Sequence, residues 1–151
     1  MLGDDLDPIL IQVTVPLPTA MILSAFTDAR QLSKWMCDGA TVDPKVGGAI
    51  ELHWDGEPTF TSHGTITELT PEVDVGFTWE APPPYGAVMN PSPGTKVYVR
   101  LQDSPEGIDV TLEHSGWKSG PEWEEARSWH FQLWDDRLHR LKPFLMEHAY
   151  G

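Results

Sequence analysis

Up to Ser115 the apolar residues recur mostly at every second position, and beyond Pro121 they recur at every third or fourth. The first spacing predicts strands and the second a helix. "ILIQVTVPLP", from Ile9 to Pro18, is rich in β-branched residues and ends in prolines, as an opening strand does. In "TAMILSAFTDARQLSKWM", Ala20, Leu23 and Phe26, then Leu32 and Trp35, sit at helical spacing. The break at "TDA" predicts two short helices, the second capped by Asp28. "ATVDPKVGGAIELHW" predicts a short strand, a turn over Lys45 to Gly48, and a strand from Ala49 to Trp54. "TFTSHGTITEL" (Thr59 to Leu69) aligns Phe60, Ser62, Gly64 and Ile66, and "VDVGFTWE" aligns Val73, Val75, Phe77 and Trp79. "KVYVRLQD" and "GIDVTLEHS" form a hairpin about "SPEG", with Val97, Val99 and Leu101 on one inner face and Ile108, Val110, Leu112 and His114 on the other.

Between these strands lies "APPPYGAVMNPSPG", Ala81 to Gly94, whose five prolines forbid regular pairing. An irregular piece of this length is either a lid or binding segment or an unstructured hairpin tip. From Pro121 onward the pattern predicts one helix of about 27 residues, roughly 40 Å long. Pro121 and Glu122, Glu124 and Glu125 suit its start; Arg137, His139, Arg140 and Lys142 suit its end, with Pro143 as a kink or stop.

The predicted order is a strand, two short helices, about six antiparallel strands and a long helix. Only the last helix is long enough to cover the apolar face of the sheet, so the fold class is α+β, a grip around a rod. At 100° per residue Trp123, His130, Trp134, Leu138, Leu141 and Leu145 form one stripe, edged by Ala126, Leu133 and Phe144, with Trp129 at its margin. Burial of Trp123 and Trp134 against the sheet is worth roughly 7–12 kcal/mol, which explains them without a ligand. Trp117, in the turn before the helix, and Trp129 are expected to stay partly exposed. The polar residues threaded into this stripe are harder to explain. His130 lies within it, Arg127 and Arg137 flank it, and His114 sits on the apolar face of the last strand. Either these groups find partners among neighbouring backbone, Glu51 or Glu68, or snorkel to solvent, or they line a wet cavity.

Composition narrows the possible partners. The 151 residues suit a single domain, 1–151. Ten Lys+Arg against 23 Asp+Glu give a net charge of −13, which disfavours nucleic acid and anionic membrane surfaces. No stretch approaches the ~20 apolar residues of a membrane helix. The acidic start "MLGDDLDPIL" lacks the marks of a signal peptide, so a cytoplasmic location is expected. The single cysteine, Cys37, excludes an internal disulfide and reads as an inert, part-buried thiol.

Four segments in series carry a family resemblance. "AFTDARQLSKW" (Ala25, Thr27, Asp28, Leu32, Trp35), the "VGG" hairpin of "DPKVGGAIEL", "GTITELTPEVDVGFTWE" and "VTLEHSGW" together resemble the activator of heat-shock protein 90 ATPase-like (AHSA-type) family. The resemblance covers nearly the whole chain. It implies the helix-grip fold of the START-like, SRPBCC superfamily, also called Bet v 1-like, whose members bind lipids and other apolar molecules, catalyse cyclisations or act as co-chaperones. The chaperone activators carry a separate N-terminal domain with no counterpart in this sequence, which weighs against direct chaperone activation. The Pro82 to Pro93 insertion looks long for the family.

No nucleotide, phosphate or serine-hydrolase signature occurs. The six histidines lack metal-ligand spacing, and His53 and His63 are expected to point outward, so neither a metal nor a cofactor is expected. The leading expectation is a binding module for a small apolar or lipid-like molecule between the sheet and the last helix. Its walls would be Phe77, Trp79, Trp123 and Trp134, its polar anchors Arg127, His114, His130 and Arg137, and its mouth Phe60 with Tyr85 or Met89. Two alternatives stand beside it: a cyclase- or hydrolase-type enzyme using a cavity histidine such as His130 paired with Glu51, and a stand-alone chaperone-contacting module. A homodimer is compatible with each.

Overall fold

The computed structural model describes residues 5–150. The single domain expected over 1–151 reaches past these at both ends, and the first four residues of the acidic start lie outside the described residues. The elements are β1 (Ile9–Val15), α1 (Thr19–Thr27), α2 (Ala29–Trp35), β2 (Gly39–Val42), β3 (Ala49–Trp54), β4 (Phe60–Thr70), β5 (Asp74–Trp79), α3 (Pro83–Met89), β6 (Thr95–Ser104), β7 (Gly107–Ser115) and α4 (Pro121–Tyr150). All seven strands pair antiparallel in the order β1-β7-β6-β5-β4-β3-β2.

β1 and β2 therefore occupy opposite edges of the sheet, and the α1–α2 pair must carry the chain from one edge to the other. The two helices are separated at Asp28, whose Oδ1 accepts from the N–H of Arg30 (2.9 Å) and Gln31 (3.1 Å), as the sequence predicts. Phe26 and Trp35 pack edge to face at 5.1 Å, and the Trp35 indole donates to the Ala25 carbonyl, locking one helix on the other. The predicted turn before β3 also forms, with Gly47 at φ +88°.

Strong curvature enters at β4. Residues from Phe60 to Thr65 pair with β3, while those from Ile66 to Thr70 pair with β5 across a register shift between Ile66 and Glu68. Gly64 sits at the changeover, where a Cβ would lie 2.2 Å from the backbone oxygen of Thr78. Only glycine lets β5 approach there. The inward residues are those that alternation predicts: Ile50, Leu52 and Trp54; Phe60, Ser62 and Ile66; Val75, Phe77 and Trp79; Val97, Val99 and Leu101; Val110, Leu112 and His114. α4 lies across this face, burying Ala126, His130, Trp134, Leu138, Leu141 and Leu145.

Four details differ from the sequence reading. Val73 lies before β5, 44% exposed, because it belongs to the tight turn closed by its own N–H on the Thr70 carbonyl. The proline-rich piece is not wholly irregular. Prolines pre-set φ and need no N–H in a first helical turn, so Pro83 starts the short helix α3. The Asn90 side chain then clasps its base, accepting from the Ala81 N–H at 2.8 Å. α4 spans 30 residues and runs through Pro143, which with His139 lies on the exposed side, so the carbonyl freed by the proline faces solvent. Trp117 is 2% exposed rather than half open, because its indole turns back to donate to the His114 carbonyl at 2.7 Å.

Candidate functional site

Two histidines sit at the centre of the space between sheet and helix, both without solvent exposure. Their partners follow from donor chemistry. An indole N–H only donates, so a ring nitrogen that receives one carries no proton. Trp79 Nε1 donates to His130 Nε2 at 2.9 Å, so the His130 proton is on Nδ1 and goes to the Ala126 carbonyl at 2.8 Å. Trp134 Nε1 donates to His114 Nδ1 at 2.9 Å, so His114 donates from Nε2 to Thr95 Oγ1, also at 2.9 Å. Both rings are neutral and use both nitrogens.

Burial pushes the His130 pKa down to about 4, partly offset by the bond to the Ala126 carbonyl. His114 is held well below its ordinary value by burial and by the neighbouring His130. The rings stand 5.4 Å apart, edge to face, inside a layer completed by Trp79, Trp117 and Trp134. The layer is packed and its polar atoms are satisfied. Glu51 has no part in it. It follows Ile50 and precedes Leu52, both inward, so alternation turns it to the outer face opposite His63. Glu68 is also elsewhere, at the β4 irregularity beside Gly76.

An opening lies to one side of this layer, between α4 and the β3–β4 hairpin. It is a groove of about 330 Å³ lined by Trp54, Pro58, Phe60, Trp129, Leu133 and Arg137, with Asp38, Gly56, Glu57 and Gln132 around it. Trp54 and Phe60 stack at 4.9 Å, and Trp129 meets Phe60 edge to face at 6.0 Å. The Trp54 indole is anchored on the Met36 carbonyl at 3.0 Å, which fixes the groove wall to the end of α2. Tyr85 of α3 packs on Trp129 at 5.6 Å, while Met89 of α3 is buried. Arg137 Nη1 is paired with Asp136, and Asp136 also holds Arg140 at 3.0 Å. Among the described residues, Arg137 Nε is a buried side-chain polar atom without a hydrogen-bond partner.

The expected site residues therefore divide among four locations. Trp79, His114, His130 and Trp134 form the closed layer, with Phe77 buried in the core. Phe60 and Arg137 line the groove. Trp123 is half-buried against Trp117 at 6.2 Å, near the start of α4. Arg127 is on a different side, donating to the carbonyls of Asp7 (2.7 Å) and Pro8 (3.2 Å) and so pinning the segment before β1. Trp54, Trp129 and Leu133 are groove residues that sequence reasoning did not select. The signal available was the placing of Trp129 and Leu133 at the margin of the helix stripe, where a side chain faces an edge rather than the core.

His53 and His63 turn outward as expected, bonded to Thr61 and Asp55 and to Glu80 respectively. The described residues contain no group of three or more His, Cys, Asp or Glu arranged to hold a metal. Burial raises the Cys37 thiol to about 11, and its single S–H lies within reach of the carbonyls of Gly39 (3.1 Å) and Leu32 (3.6 Å). No helix among the described residues is long and apolar enough to cross a membrane.

A family model described as Activator of Hsp90 ATPase homolog 1-like protein matches residues 16–145. The chain belongs to this family. Solved structures carry the same fold. Protein MLL2253 from Mesorhizobium loti is similar with a TM-score of 0.76 at 15% identity, over 93% of this chain and 97% of that one. Protein BH1534 from Bacillus halodurans gives 0.74 at 20% identity, over 95% and 99%. The Aha1 dimer from Colwellia psychrerythraea gives 0.74 at 20%, over 93% and 96%. No curated protein matches the sequence significantly. At these identities the solved structures share the fold alone.

Proposed function

We propose that the protein binds a small, largely apolar molecule in the groove between α4 and the β3–β4 hairpin. The observation that carries this reading is the aromatic wall of Trp54, Phe60 and Trp129 around about 330 Å³ of open space, beside a central layer already filled. That volume lies in the range of small-molecule pockets, which are typically apolar with a few polar groups. In this reading Phe60 closes the mouth of the groove and Arg137 is its polar anchor. The closed histidine layer supports them from behind. A cytoplasmic location belongs to the same reading.

Titration with naphthalene, followed by tryptophan fluorescence and by calorimetry, tests it. Saturable binding is expected, weakened severalfold by Trp129→Ala, which removes one wall of the groove together with its edge contact on His130. The absence of any saturable change, together with native mass spectrometry finding no retained small molecule, would remove the basis for the proposal. The dimer formed by the Aha1 of C. psychrerythraea supports a second reading, self-association, which light scattering over a concentration series tests.

A further inference from the structure

We infer that the molecule taken up in the groove presents an uncharged oxygen acceptor, such as a ketone or other carbonyl, to Arg137. The inference rests on the groove being the binding site. Its first support is hydrogen-bond accounting. Buried donors rarely go unpaired, and an unpaired one costs on the order of 1–3 kcal/mol. Even the two buried histidines of this protein have both nitrogens engaged. Against that background Arg137 Nε is buried without a partner, on a residue that lines the groove. A ligand oxygen is the kind of atom that would complete it.

The second support is charge. The Arg137 guanidinium is already balanced through Nη1 by Asp136, which is shared with Arg140. The remaining charged lining residues, Asp38 and Glu57, are both acidic. One oxygen of Asp38 is held by the Asp55 N–H at 2.7 Å, which keeps its carboxylate beside the groove. A carboxylate or phosphate head would therefore meet net negative charge, in a molecule of charge −13 overall. A cationic head would be drawn to Asp38 and Glu57 but brings no acceptor to Nε–H. A neutral carbonyl supplies the acceptor and avoids the repulsion, while the aromatic wall takes a flat apolar body.

Four probes sharing one ring system test this: naphthalene, 2-acetylnaphthalene, 2-naphthoate and 2-naphthylmethylammonium, each titrated by calorimetry into the full chain. The ketone is expected to bind about tenfold or more tighter than naphthalene, the gain of a hydrogen bond to a charged donor. It should also bind tighter than the carboxylate and the ammonium probes. Arg137→Met should erase the ketone's advantage over naphthalene, both measured in that variant. Should that variant not fold, the Arg137 Nε–H resonance of the wild-type protein gives an independent readout, shifting with the ketone and not with naphthalene. Tightest binding by the carboxylate or the ammonium probe, or equal binding of ketone and naphthalene, would overturn the inference and leave the groove reading intact. Failure of all four probes to bind would overturn both.

Discussion

Acidification should unfold this protein through its own core. His130 is neutral in the folded state, with a pKa lowered to about 4 from the ordinary 6.5 by burial, and His114 is lowered in the same direction. Protonation would place a second N–H on each ring, facing an indole that can only donate. A group whose folded pKa is depressed because its charged form is disfavoured binds protons more readily when unfolded. Stability is therefore complete above 6.5, falls as the pH drops through the window from 6.5 to about 4, and levels off below it. For His130 alone the loss amounts to about 2 kcal/mol by pH ~5, above the range where ordinary carboxylates titrate. His114 adds to this. Such a loss is a large part of the ~5–15 kcal/mol that holds a domain together. In urea, with a slope of about 2 kcal/mol per molar, the midpoint should fall by about 1 M between pH ~7.5 and ~5. Tryptophan fluorescence and far-ultraviolet circular dichroism would both report it. His130→Leu should show a shallower pH dependence than wild type, by about one proton. An unchanged or rising wild-type midpoint across the window would refute the buried, neutral state of the two rings, and an unchanged slope in the variant would refute the role of His130.

Two further changes test the frame. Trp134→Phe removes the N–H that His114 Nδ1 accepts, and should cost about 1–3 kcal/mol for the unpaired buried nitrogen, with some loss of packing added, by chemical denaturation. Gly64→Ala sets a Cβ 2.2 Å from the Thr78 oxygen; it should destabilise by at least about 1–3 kcal/mol and lower the melting temperature, and a neutral result would show that β4 can yield there.

The fold was legible because its signals are local and periodic. Two-residue alternation named inward residues of β4, β6 and β7, the Asp28 cap divided α1 from α2, and the four motifs in series pointed to the family that the match over 16–145 establishes. The site was less legible because it depends on which edges of packed elements meet. Alternation could place His114 inward, but not show that a tryptophan of α4 would donate to it, nor that Trp79 would serve His130. A helical wheel gave Arg127 and Arg137 similar standing, since it cannot tell that one faces the carbonyls ahead of β1 and the other the β3–β4 hairpin. Trp54 was read as a strand residue and Trp129 as a marginal one. Trp54 and Phe60 face each other as cross-strand partners, and the margin of α4 brings Trp129 against Phe60, a meeting of strand and helix that neither period alone predicts.

The edge position of β1 has a consequence for biosynthesis. Thr14 on β1 bonds to Asp109 on β7, 95 positions later in the chain. At ribosomal rates of about 5–20 residues per second, β1 waits roughly 5–20 s for the strand it must pair with. Throughout that interval Ile9, Ile11 and Val15, buried in the finished molecule, have no partner from β7. Closing so distant a pair is slow relative to local hairpins. The nascent chain thus carries an adhesive first strand until nearly all the sheet has been made, and the last strand to leave the ribosome is the one that covers it.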